Sequence, residues 1–331
     1  MARLFTVDGT CAQYDLDSLL SEAKAMLANS LTAIDAIKNA KIFLSDSDKR
    51  HFMRNARNSF GTAYLGKSGS YTAADKVKLD FVRANLQTIS DALTTGSIQP
   101  PSNWLSCSDD SYDSAEFQYQ INKAEKDLTV TILEKTGFAN LWYIPNHLAG
   151  DQERVFVTPK PGITGKPCTA PNLPAVTYTP NILGLHIEPR QIILCPRFFD
   201  TTIRLIDLKA VRAAPKTAPS VTGSPSTNID AYKSWPGSWI HELFHLLLGN
   251  GYRDDDFYYD NTDTEQNPYD RVAIFAVANQ NSKCKSTTTN NAPDPLKLPD
   301  AYRIFIESCY LNSIKFDTEN GGLPPLKLAA A

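Results

Sequence analysis

No run of this sequence approaches the roughly 20 consecutive apolar residues that a membrane-spanning helix needs, so a membrane protein of that type is not expected. The opening residues, Met1 to Asp8, lack the apolar core of a secretion signal. There is no Asn-x-Ser/Thr acceptor for N-glycosylation, no Cys-x-x-Cys pair and no internal repeat. Charge of one sign is also lacking: 33 Lys and Arg face 36 Asp and Glu, for a net charge of −3. Without a basic patch, nucleic acid is not an expected partner. Histidine is scarce, with five in 331 residues. What remains is an ordinary globular balance, 42% hydrophobic and 21% charged, in a chain long enough to bury a large core.

The six cysteines, Cys11, Cys107, Cys168, Cys195, Cys284 and Cys309, are even in number and widely spaced. That pattern fits three structural disulfides in an exported protein better than a cysteine metal site. The closing Lys327-Leu328-Ala329-Ala330-Ala331 looks vector-derived. The expectation is therefore a secreted chain whose signal is not part of this sequence.

Three of the scarce histidines are scattered (His51, His147 and His186), but two lie together in Trp239-Ile240-His241-Glu242-Leu243-Phe244-His245. On an α-helix, residues four apart share a face, so His241 and His245 can close on one Zn²⁺. Glu242 follows the first histidine, where its carboxylate can reach a water at the metal. This is the H-E-x-x-H pattern of zinc peptidases, with the glutamate as general base. Trp239, Ile240, Leu243, Phe244, Leu246, Leu247 and Leu248 make the segment apolar nearly all round, as a buried central helix requires. Two histidines and a glutamate buried there with nothing to bind would be costly. Ser238, after the Pro236-Gly237 turn, reads as the N-cap, and Gly249-Asn250-Gly251 as the stop.

Around this segment the chain divides in two. Residues 15–42, 46–58 and 72–94 show helical spacing, with Asp15 or Asp17 and Thr72 as caps, and form a helical layer in which His51 is read as a surface residue. From Pro100 onward short strands are expected at 117–121, 128–133, 141–144, 154–158, 183–187 and 191–194. Residues 197–212 read as helix, 213–228 as a surface loop, 269–279 as helix, 283–296 as a polar loop and 299–311 as a final helix.

Zinc needs a third ligand. A histidine ten residues after His241 would complete one known scheme, but that position is Gly251. A downstream carboxylate is the other solution. Asp254, Asp255 and Asp256 follow closely, and a reversal at Gly249–Gly251 would return them to the metal. A calcium loop, or a scheme using Glu265 or Asp270, is the weaker alternative.

These residues resemble the deuterolysin family of zinc endopeptidases, the aspzincins, which include lysine-specific fungal enzymes. There H-E-x-x-H is followed by G-T-x-D-x-x-Y-G, and this chain has Gly251-Tyr252-Arg253-Asp254-Asp255-Asp256-Phe257-Tyr258-Tyr259. The Thr and the closing Gly are absent. Anchoring on the glycine selects Asp254 as ligand; anchoring on the tyrosine selects Asp255 with Tyr258 or Asp256 with Tyr259. Asp254 is preferred, with Asp256 next. Ile192-Ile193-Leu194-Cys195-Pro196-Arg197-Phe198-Phe199 and Pro299-Asp300-Ala301-Tyr302-Arg303-Ile304-Phe305 resemble two further segments of the family.

The resemblance implies an α+β, zincin-like fold, mostly helical, with a small sheet beside the H-E-x-x-H helix. It implies one catalytic domain over 1–331, with a helical layer at 1–97 and the sheet and active-site helices at 98–326. It implies one Zn²⁺ on His241, His245 and an aspartate, Glu242 as base, and Tyr258 or Tyr259 supporting the transition state. It also implies Asp300 as a binder of substrate lysine, and the pairs Cys11–Cys107, Cys168–Cys195 and Cys284–Cys309. The expected activity is peptide-bond hydrolysis by a secreted monomer on a protein or peptide substrate. The alternative is a zinc-binding or interaction protein on a peptidase fold, without activity.

Overall fold

The computed structural model describes residues 5–38, 47–62, 64–65, 70–95, 103–110, 113–114, 142–143, 156–157, 166–169, 173–178, 181–182, 185–186, 190–214, 220–221, 224–225, 228–254, 257–259, 265–266, 269, 271–279, 281–287, 291–314 and 316. The architecture is mixed α+β and mostly helical. Seven α-helices are present among the described residues: α1 (Leu16–Lys38), α2 (Ser47–Phe60), α3 (Ala73–Thr95), α4 (Lys209–Ala213), α5 (Trp235–Leu248), α6 (Arg271–Asn279) and α7 (Pro299–Tyr310).

The periodic apolar spacing of α1 and α3 does what it should. Ala23, Met26, Leu27 and Ile34 of α1 and Leu79, Val82, Leu86 and Ile89 of α3 are fully buried where the two helices pack together. Asp15 accepts from the amide of Ser18, and Thr72 from that of Asp75, so the expected caps of α1 and α3 are in place. Helix α5 packs against α1, α3 and α7, and α7 in turn also packs directly on α1.

On its other side α5 meets a four-stranded sheet. The strands are β1 (Thr6–Val7), β2 (Trp104–Ser106), β3 (Ala175–Tyr178) and β4 (Gln191–Leu194), in spatial order β1-β2-β4-β3. The first three in that order are mutually parallel; β3 is an antiparallel edge strand against α5. Only β4 coincides with an expected strand of this sheet. The short runs of β1 and β2 carry no alternation that sequence could reveal, and β3 follows a proline-rich stretch. A second, antiparallel sheet has the order β6-β5-β7, from β5 (Phe257–Tyr259), β6 (Glu265–Gln266) and β7 (Cys284–Ser286). Two-residue ladders stand at Trp142–Tyr143, Phe156–Val157 and Leu185–His186, inside three expected strands. The strands expected at 117–121 and 128–133 lie outside the described residues, as does His147.

The helix expected over 197–212 is broken. Pro196–Phe199 is one 3-10 turn, Asp200 turns back onto Thr202, Leu205 pairs with Ser234 as an isolated bridge, and only α4 is helical. Side-chain hydrogen bonds from Asp200 and Asp207 compete with the helix there. His51 is also not a surface residue. It is buried, and its Nε2 lies 3.2 Å from the carbonyl of Ser308.

Disulfides join Cys11 to Cys107 and Cys168 to Cys195, tying the start of the helical layer to β2 and a turn to β4. Such bonds fit an oxidising compartment. The third implied pair does not form: Cys284 and Cys309 are buried thiols. Cys284 sits in the second sheet, and Cys309 packs at the end of α7 beside Asn55, so the two belong to different parts of the core. No helix among the described residues is long and apolar enough to cross a membrane.

Candidate metal centre

Helix α5 begins one turn earlier than its sequence suggested. Ser234, not Ser238, is the N-cap, with its Oγ accepting from the amide of Gly237 at 3.1 Å and Pro236 in the first turn. Ser238 is helical, and its Oγ accepts from Arg204 Nε at 3.2 Å. The helix ends at Gly249, whose φ of +74° is open to glycine and strained for other residues. The 3-10 turn Gly249–Gly251 then sends the chain back along the helix.

That reversal brings three donors together. His241 Nε2 and His245 Nε2 are 3.2 Å apart. Asp254 places Oδ1 3.3 Å from the first ring and Oδ2 3.3 Å from the second. Zinc bonds of about 2.0–2.1 Å at a tetrahedral angle separate neighbouring ligand atoms by about 3.3 Å. Each of the three separations matches that edge length, with the two oxygens of Asp254 each facing one imidazole nitrogen. The cluster is a group that could hold a metal ion.

The rings are aimed by their outer nitrogens. His245 Nδ1 lies 2.9 Å from the carbonyl of Tyr252. A carbonyl only accepts, so Nδ1 carries the proton and Nε2 keeps its lone pair for the cluster. Tyr252 is itself anchored, because Asn85 of α3 donates to its hydroxyl at 2.5 Å and to that of Tyr302 at 2.7 Å. His241 Nδ1 faces Asp300 Oδ2 at 3.4 Å. Glu242, 6% exposed, accepts from the Thr177 hydroxyl of β3, Oγ1 to Oε2 being 2.6 Å.

The charges follow from this geometry. Burial disfavours a charged imidazole at His241, but Asp254 and Asp300 outweigh it and raise its pKa well above the ordinary value. His245 shifts upward for the same reason, with Asp254 the main cause after burial. Burial alone would raise Asp254, yet the two imidazoles hold it well below the usual carboxylate range. The cluster thus favours positive charge at its centre, supplied by protons or by a cation.

Of the expected site residues, His241, Glu242, His245 and Asp254 come together. Asp255 and Asp256 lie outside the described residues, as does Asp270, and so do the side chains of Tyr259, Glu265 and His186. Tyr258 is on β5 and 37% exposed. The phenol beside the cluster is that of Tyr269, which donates to Asp254 Oδ2 at 3.1 Å, its ring centroid 6.1 Å from that of His241.

Asp300, expected as a binder of substrate lysine, has partners within the fold. It is 4% exposed and lies between the Arg303 guanidinium and His241. Although burial would raise its pKa, these two cations bring it down to about 2. Thr177, Tyr269 and Arg303 were not expected at the site. Thr177 comes from a stretch with no spacing signal, and Tyr269 stands at the start of the helix expected over 269–279, just ahead of α6. Arg303 had one: Asp300, Arg303 and Glu307 fall at i, i+3 and i+7, a charged stripe in a helix otherwise rich in Ile, Phe and Tyr.

Comparison with protein-family models, with curated proteins and with solved structures finds no match to this chain.

Proposed function

We propose that this chain is a secreted zinc endopeptidase with a zincin-like catalytic domain, related to the deuterolysin family. One observation carries the reading: two imidazole nitrogens and a carboxylate stand at the mutual separation of tetrahedral zinc ligands, with an acidic side chain next to the first histidine. Nitrogen and oxygen donors, three in number, are the set that catalytic zinc uses while keeping a position open. When bound, zinc supplies a Lewis acid that lets water act as a nucleophile near neutral pH.

The chain's own residues do the rest. His241, His245 and Asp254 hold the ion. Glu242 takes a proton from the attacking water and returns it to the leaving amine. Thr177 holds one oxygen of that carboxylate, which leaves the other for the proton. Tyr269 is our candidate for the donor to the developing oxyanion, in place of Tyr258 or Tyr259. The outer edge of β3, which also carries Thr177, is suited to pair with an extended peptide. Since Asp300 is already shared by two cations, we do not expect a preference for lysine.

The test is cleavage of an unfolded protein by the zinc-loaded chain beside Glu242→Ala at equal zinc content. Cleavage by the parent alone is the expected result. One zinc bound by each, with no cleavage by either, would overturn the enzyme reading and leave a zinc-binding protein.

A further inference from the structure

Helix α7 contributes no metal ligand, yet it carries a buried guanidinium that is linked, through one intervening residue each, to the helix of both histidines and to Asp254. Arg303 is 3% exposed and spends three different nitrogens on three acceptors, two on its own helix and one at Tyr269. Its Nε donates to Asp300 Oδ1, and the other oxygen of Asp300 faces Nδ1 of His241 at 3.4 Å. Its Nη1 donates to Glu307 Oε2 at 2.8 Å, and the other oxygen of Glu307 accepts from the amide and the hydroxyl of Ser234 at 3.1 and 3.0 Å. Ser234 caps α5, the helix of both histidines. Its Nη2 donates to the carbonyl of Tyr269 at 3.2 Å, and the phenol of Tyr269 reaches Asp254.

We infer that Arg303 is the positioning residue of the metal centre, fixing His241, the start of α5 and the Tyr269–Asp254 contact from one planar fork. The inference rests on the proposed metal site and concerns what holds its shape. A buried charge network of this size adds little stability over an apolar seam, so stability does not account for it. Geometry does. Arginine presents donors in a fixed plane, whereas lysine offers a point charge on a flexible stem and cannot serve three acceptors in that arrangement. Gly237 fits the same picture, because a Cβ there would overlap Glu307 Oε1 and displace that carboxylate from Ser234.

The experiment compares Zn²⁺ dissociation constants, by chelator competition, and the visible absorption of the Co²⁺-substituted protein. Four full-length chains are used: the parent, Arg303→Lys, Asp300→Asn and Leu93→Ala. Leu93 lies in the α1–α3 layer, 1% exposed. Expected is zinc binding about 10- to 100-fold weaker in Arg303→Lys, as for loss of an outer-sphere partner. A smaller loss is expected in Asp300→Asn, which keeps the shape and cuts one arm. Both should show altered Co²⁺ bands. Leu93→Ala should melt earlier with parental affinity and spectrum. If Arg303→Lys does not fold, Asp300→Asn carries the test alone. Parental affinity and bands in the α7 variants would overturn the inference, as would an equal loss in Leu93→Ala. No zinc uptake by the parent would instead overturn the metal reading, and this inference with it.

Discussion

The seam between α5 and α7 and the layer of α1 against α3 are both buried, and they are buried in opposite ways. Between α1 and α3 the contacts are hydrocarbon: Met26, Leu27, Ile34, Val82, Leu86 and Ile89 are fully enclosed. Between α5 and α7 the ring contact of Phe244 with Tyr302 is joined by Ser234, His241, Asp300, Arg303 and Glu307, each less than 8% exposed. Apolar contacts are non-directional and tolerate small shifts. Charged hydrogen bonds at low dielectric do not. The layer holds the molecule together, and the seam holds a geometry.

The exceptions sharpen the contrast. Glu22 is the buried acid of α1; it accepts from the amide of Leu208 at the start of α4, and Lys209 nearby offsets only a small part of its burial. Burial pushes its pKa up to about 7. Asp300, equally buried, is held at about 2 once the penalty of burial is offset by Arg303 and His241. Glu307, with Arg303 but otherwise neutral partners, rises above the ordinary value because burial prevails. The same chemical group is thus driven up or down by the number of cations beside it.

The largest break in this comparison is expected from Arg303→Met. It leaves Glu307 buried without its ion-pair partner and Asp300 with His241 alone, and loss of about 3–5 kcal/mol is expected in urea titrations of the metal-free protein. Next is Glu22→Gln, read as stability against pH. The folded state binds the Glu22 proton more tightly than the unfolded state, whose ordinary value is 4.5. Its contribution is therefore complete below that value and is lost as pH rises through about 7. Between pH 5 and 7 the parent should lose about 2 kcal/mol from this group, a slope that Glu22→Gln should flatten. An unchanged slope would mean that Glu22 is ionised in the fold. The smallest effect is expected from Arg83→Ala. Its bidentate pair with Asp35, at 2.6 and 3.0 Å, bridges α1 and α3 on the surface, and its removal should cost less than about 1 kcal/mol.

The sequence revealed most where one face of an element had to be apolar. The long helices α1 and α3, their caps and the buried H-E-x-x-H helix were legible because 3.6-residue periodicity is strong over many turns. Asp254 was legible as one of three aspartates; what brings it to the histidines is the turn at Gly249–Gly251, a backbone conformation rather than a composition. Strands β1, β2 and β3 were not legible, since two to four residues carry too little alternation. Tyr269 and Thr177 were out of reach for a different reason. Each is placed by segments distant in the chain, and nothing in its neighbours encodes that placement. Arg303 lay between these cases: its stripe was visible, but its partners were not.

The tight reversal after Gly249 also bears on the order in which the molecule assembles. His241, His245 and Asp254 fall within fourteen residues of chain, while Asp300, Arg303 and Glu307 arrive on the last helix. Closing so short a loop costs little entropy, so the ligand set can gather as soon as α5 is formed. Metal captured at that stage would be held by a flexible hairpin, and the docking of α7 would then tighten it. Metal uptake during refolding should accordingly show two phases, the slower one tied to the chain's far end.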